Sequence, residues 1–97
     1  MTERIRTHPG EVLKEEFLAP LGMSANALSR ELRVPANRIT AILNRTRGVT
    51  ADTALRLARY FGTTPEFWIN LQAAHDLSAA RAKSGRAIER AVRPRAA

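Results

Sequence analysis

At 97 residues the chain is one domain's worth, with 44% hydrophobic and 26% charged residues, an ordinary globular composition. The absence of cysteine excludes a disulfide scaffold and any thiolate zinc site. Sixteen Lys and Arg against nine Asp and Glu leave a net charge of +7, which favours a polyanionic partner, nucleic acid first.

Helix signals fill the chain and strand-like alternation is nearly absent. Only five residues are aromatic, so the core must be built mostly from Leu, Ile, Val and Ala. The first helix should start near Pro9, because proline suits the first helical position. Glu11, Glu15 and Glu16 sit in its opening turns, where anions oppose the positive end of the dipole. Val12, Leu13, Phe17 and Leu18 form its apolar stripe, and Pro20 and Gly22 should stop it. Ser24 is a good cap for a second helix, in which Ala25, Leu28 and Leu32 share one face. Arg33-Val34-Pro35 is a short break. A third helix runs from about Pro35 to Asn44 with Ile39, Ile42 and Leu43 inward, followed by a loop through Arg45, Thr46, Arg47 and Gly48. Thr50 caps a fourth helix with Asp52 in its first turn and Ala54, Leu57, Ala58 and Phe61 on one side. Gly62 ends it. Thr64-Pro65-Glu66 opens a fifth helix carrying Phe67, Trp68, Leu71 and Ala74, expected to reach about Ala82.

Residues beyond Gly85 are Arg- and Ala-rich with few large apolar groups. Residues 83–97 are therefore expected to be a mobile basic tail on a domain of residues 1–82. Residues 81–97 hold six cations (Arg81, Lys83, Arg86, Arg90, Arg93, Arg95) and one anion, Glu89, whereas residues 1–80 hold ten cations and eight anions. Bulk charge alone thus says little about the folded part; placement must decide.

The informative placement lies between Ser24 and Asn44, where two short helices joined by a tight turn have the form of a helix-turn-helix. Leu28, Ser29, Leu32, Val34, Ile39 and Ile42 fall where such a unit needs packing contacts, and the small Ser29 lets the two helices approach. Ala36, Asn37, Arg38, Thr40 and Ala41 then face outward, able to reach base edges in a major groove. Asn can bind adenine bidentately, Arg can bind guanine, and Ala or Thr methyls can touch thymine. Arg45 and Arg47, with the amide-rich start of the second helix at Ser24, are placed for phosphates. Any five-helix protein has two short consecutive helices, so this pattern taken alone does not decide the function.

The flanking helices shift that balance. His8-Pro9-Gly10-Glu11, the run Thr50-Ala51-Asp52-Thr53-Ala54-Leu55-Arg56-Leu57-Ala58, and Gly62-Thr63-Thr64-Pro65-Glu66-Phe67-Trp68-Ile69-Asn70-Leu71-Gln72 resemble the HigA antitoxins, some of which carry the label VapI. These belong to the Xre/Cro-type helix-turn-helix repressors. The resemblance covers roughly residues 8–78. It implies an all-α, five-helix, lambda-repressor-like domain that forms a homodimer, with helix five in the contact, and binds a palindromic double-stranded operator. It also implies a partner toxin of the HigB type, an mRNA-cleaving ribonuclease of the RelE kind, neutralised by the antitoxin in an autoregulated operon. Two positions depart from the family pattern: Arg33 stands where glycine is usual in the turn, and Arg45 stands where Asn-Gly is common after helix three.

Competing functions find less support. His8 and His75 lack metal-ligand spacing, and no cofactor is implied; His8 reads as a local hydrogen-bonding group before the first helix, His75 as a surface or interface residue. Glu15 and Glu16 are adjacent and face different directions, so they cannot act as a catalytic pair, and no phosphate loop or nucleophile elbow appears. An enzyme is not expected. No apolar run reaches the ~20 residues of a membrane span and nothing reads as a signal peptide, so a cytoplasmic protein is expected. Asp52 and Arg56 form an i, i+4 pair on helix four. Trp68 could serve core or interface, and its spacing favours the core. The runner-up function is a stand-alone phage-type repressor without a toxin. The alternative from a different class is a protein-interaction module that no longer reads DNA.

Overall fold

The computed structural model describes residues 4–96. Five helices follow one another, with no strand among the described residues: α1 (residues 9–21), α2 (Ala25–Leu32), α3 (Ala36–Leu43), α4 (Ala51–Phe61) and α5 (Pro65–Ala91). The second to fourth helices begin and end within two residues of the sequence expectation. No helix of the described residues is long and apolar enough to cross a membrane.

The caps follow the local chemistry. His8 Nδ1 accepts the Gly10 N–H at 2.9 Å ahead of Pro9, and the side chains of Ser24, Thr50 and Thr64 accept the N–H groups of Ala27, Thr53 and Phe67. Each cap satisfies one of the orphan donors at a helix start. Pro20 does not stop α1, contrary to expectation. Its missing N–H and its ring are accommodated because Leu13–Leu18 widen into a π-helix, in which the Ala19 N–H bonds to the Lys14 carbonyl. The stop is Gly22, left-handed at φ 59°.

The core is a single cluster. Leu13, Leu28, Ile39, Ile42, Ala54, Leu57 and Trp68 have no exposed surface. Phe17 closes one side, its ring 4.8 Å from Phe61 and 5.1 Å from Trp68. α2 packs on α3 and α4 on α5, while the start of α1 bridges α3 and α5. That bridge depends on Gly10: a methyl group there would be driven into the carbonyl of Ile42, at the end of α3.

The N-terminal arm lies along α5. The Arg6 N–H donates to Ser78 Oγ at 2.8 Å, and His75 Nδ1 meets the Arg6 carbonyl at 2.7 Å. The His75 ring also stands edge-on to His8, with centroids 4.8 Å apart. His75 is therefore half-buried and takes part in the contacts that hold the arm.

The largest departure concerns α5. The helix does not end near Ala82 before a tail but continues to Ala91. Ala82, Ala87 and Ala91, with Arg81, Lys83, Arg86, Glu89 and Arg90, are all strong helix formers, enough to carry the helix past its last core contact despite Gly85. The fifteen-residue basic end thus begins inside a helix, and the backbone turns extended only at Val92. This stretch extends from the body, which measures 52 × 26 × 21 Å overall. The radius of gyration is 16.3 Å, against ~12.5 Å for a compact chain of this length.

Candidate DNA-reading surface

α2, its turn and α3 form the unit on which the candidate site stands. Ser29 is buried where the helices approach, and its hydroxyl donates to the Asn26 carbonyl at 2.7 Å, so the small residue is also satisfied. The turn closes on Arg33, which adopts the left-handed backbone (φ 60°). Its N–H bonds to the Arg30 carbonyl at 3.2 Å and that of Val34 to the Ser29 carbonyl at 3.0 Å. Arg45 repeats the arrangement after α3: φ is 63°, and its N–H meets the Ile42 carbonyl at 3.0 Å.

Ile39 and Ile42 anchor α3 in the core, which fixes the opposite face outward. Ala36, Asn37 and Thr40 are exposed on it, and Ala41 is half-buried. No described residue hydrogen-bonds the Asn37 side chain, whereas the Thr40 hydroxyl donates back to the Ala36 carbonyl at 3.1 Å. Arg45 and Arg47 are exposed in the loop that follows. That loop is anchored from α5, because the Val49 N–H donates to Gln72 Oε1 at 2.7 Å and Gln72 Nε2 holds Asp76 Oδ1 at 2.9 Å. Ala36, Asn37, Thr40 and Ala41 thus lie on α3, and Arg45 and Arg47 in the loop that follows it. Ser24 sits at the other end of α2, about 12 Å along the helix from the turn.

Arg38 is placed differently from its neighbours. It is in the first turn of α3, but its Nη1 donates to Asp52 Oδ2 on α4 at 2.8 Å, and its side chain is only 25% exposed. The same Oδ2 accepts Arg56 Nε at 2.9 Å, while Arg56 Nη1 donates to the Leu32 carbonyl at 2.8 Å. The Arg56 hydrogen bond, with Arg38 adding to it, holds the Asp52 carboxyl below its ordinary value. The Asp52–Arg56 pair was legible as an i, i+4 spacing. The link to Arg38, fourteen positions away, has no signal in a single sequence, nor has the Gln72 anchor.

Among the described residues no group of His, Cys, Asp and Glu is arranged to hold a metal ion. The exposed residues of α3 and the two cations in the loop after it, Arg45 and Arg47, are instead residue types that can meet base edges and phosphates.

The helix-turn-helix family model matches residues 13–68. Virulence-associated protein I of Dichelobacter nodosus is 55% identical over 73 residues, covering 75% of this chain and 68% of that protein. Among solved structures, an addiction module antidote protein of the HigA family from Coxiella burnetii is 56% identical, with a TM-score of 0.86 over 98% of this chain and 100% of the other. The chain belongs to the HigA-type antitoxins of the helix-turn-helix family. The Pseudomonas aeruginosa antitoxin HigA, solved with the higBA promoter, is 44% identical with a TM-score of 0.89, over 94% of this chain and 98% of that one. HigA-type proteins are DNA-binding regulators rather than a class of enzymes.

Proposed function

We propose that this HigA-type chain is a transcriptional repressor that binds its own operator as a homodimer and neutralises a HigB-type, mRNA-cleaving toxin. The observation that carries the DNA reading is the outward face of α3: Ala36, Asn37 and Thr40 exposed above the buried Ile39 and Ile42. Asn37 is suited to an adenine edge, Arg38 to a guanine edge, and Ala36, Thr40 and Ala41 to thymine methyls. Arg45, Arg47 and the start of α2 at Ser24 take the flanking phosphates. Two copies would read half-sites about one helical turn, ~34 Å, apart. The unit that reads DNA is residues 1–82; the basic residues from 83 onward are a solvated extension. The promoter complex of the Pseudomonas relative supports operator binding, and the family membership supports the toxin partner.

The test is a mobility-shift titration on the DNA upstream of its own gene, with Asn37→Ala beside the parent chain. Asn37→Ala is expected to cost about 1–3 kcal/mol on the operator and less on random DNA. Equal losses on both would reduce Asn37 to a phosphate contact. No shift by the parent chain on promoter DNA would leave only the protein-interaction reading.

A further inference from the structure

We propose that Asp52 is a positioning residue of the DNA-reading surface: it holds the Arg38 guanidinium in register for a base edge and, through Arg56, fixes the turn that aims α3. This rests on the DNA-binding reading of α3.

The geometry supports the role in three ways. The contact uses one nitrogen of Arg38, Nη1, to one carboxylate oxygen. An Nη carries two hydrogens, so Nη1 keeps one free and Nη2 keeps both, and two donors side by side are what the O6 and N7 acceptors of a guanine edge need. Arg38 can therefore stay on Asp52 while reading a base. Next, Arg38 Nε is buried with no partner. The fork is thus not closed into a two-bond pair with the carboxylate, the arrangement expected if its only task were to bind Asp52. Last, Oδ2 is shared with Arg56, whose other nitrogen reaches the Leu32 carbonyl at the end of α2. One carboxylate oxygen so connects the first turn of α3, through Arg56, to the turn that joins α2 to α3.

The position carries a cost beside a local benefit, since Asp52 lies in the first turn of α4, where the helix dipole favours an anion. Asp52 is an exposed anion beside a surface meant for phosphates, where it repels any DNA. Exposed ion pairs add little to stability, so the Arg38 and Arg56 contacts add only a weak stability reason to that of the dipole. Holding the long, flexible Arg38 in one rotamer before DNA arrives reduces the ordering cost of the base contact. The benefit falls on the operator alone, while the repulsion falls on all DNA. The sum is discrimination.

The experiment measures operator and non-operator DNA binding over a range of salt for the parent chain, Asp52→Asn, Arg38→Gln and the double variant, each checked by circular dichroism. Asp52→Asn is expected to weaken operator binding about five- to twentyfold, part of the value of a positioned bidentate contact. It should leave non-operator binding unchanged or strengthen it about two- to fivefold, since an anion is removed. Arg38→Gln should lose operator binding by a similar factor. The double variant should be no worse on the operator than Arg38→Gln, because both changes remove one interaction. Parallel losses on both DNAs would make Asp52 a structural brace and overturn the proposal. So would additive losses in the double variant, or an Arg38→Gln chain that binds operator like the parent, an arm that stands even if Asp52→Asn folds poorly. If the parent chain itself binds no DNA, the DNA reading fails and the positioning role fails with it.

Discussion

Trp68→Ala should unfold this domain at moderate temperature although the residue lies on α5, outside the helix-turn-helix. Trp68 is wholly buried in the single chain. Its ring lies 5.1 Å from Phe17 and 5.0 Å from Phe67, and its Nε1–H donates to Thr63 Oγ1 at 2.8 Å. Removing a buried Trp side chain costs roughly 3–5 kcal/mol, a large share of the ~5–15 kcal/mol typical of a whole domain. At about 4–8 °C per kcal/mol for a domain of this size, the melting temperature should fall by roughly 12–40 °C. Trp68→Phe keeps most of the apolar volume and loses only the indole donor, so it should fall less. The sequence leaves Trp68 between core and interface. Burial within one chain decides for the core, because a residue with no exposed surface has none to offer a partner. Thermal melts by circular dichroism, with sedimentation on the same samples, are the test. A Trp68→Ala chain that melts like the parent but sediments as a monomer would refute the reasoning.

Two more perturbations follow from the contacts around α1. Gly10→Ala should cost at least the ~1–3 kcal/mol of an overpacked site, since its methyl meets the backbone of Ile42 rather than a side chain able to move; an unchanged melting temperature would mean that α1 can shift off α3 freely. Acidification should also destabilise the fold. Burial, with His75 and Arg45 adding to it and Asp76 opposing, holds the His8 ring below its ordinary 6.5, and the cap needs an unprotonated Nδ1. The unfolded chain therefore takes up the proton first, so this contribution is full above about pH 6.5 and is lost as pH falls below it. Melting temperatures of His8→Asn, which keeps a capping oxygen, should vary less between pH 7.5 and 5.5 than those of the parent.

Local chemistry was legible where one residue type decides the outcome. Ser24, Thr50 and Thr64 cap helices because their hydroxyls replace a missing acceptor, and Ile39 and Ile42 turn inward because helical spacing demands it. Two errors have a common cause. Pro20 reads as a stop in the sequence, and the lack of core residues after Gly85 reads as the end of helical order. In both places the backbone had another solution: a widened turn in α1 and intrinsic helix propensity in α5. Within the site, the exposed residues of α3 were legible from periodicity. The Arg38–Asp52–Arg56 connection was not, because only folding brings α3 and α4 side by side.

Four helix ends in this chain turn on a left-handed residue, and their distribution is informative. α1 and α4 end on Gly22 and Gly62, at φ 59° and 74°. α2 and α3 end their turns on Arg33 and Arg45, at φ 60° and 63°. Glycine adopts this backbone without penalty, whereas a side chain costs roughly 1 kcal/mol or more. The strain is thus confined to the two ends of the proposed reading helix, and at both the residue that bears it is an exposed arginine. For a protein selected only for stability, glycine would serve all four turns. A surface that must approach phosphates gains from each added cation, because every neutralised phosphate releases counterions and raises affinity for any sequence. On the DNA reading proposed above, Arg33 and Arg45 would add general affinity, while Asp52 would work against it in favour of register. The turns that looked like departures from the family pattern and the anion that looked like an ordinary helical pair are then opposing adjustments of one DNA-reading surface.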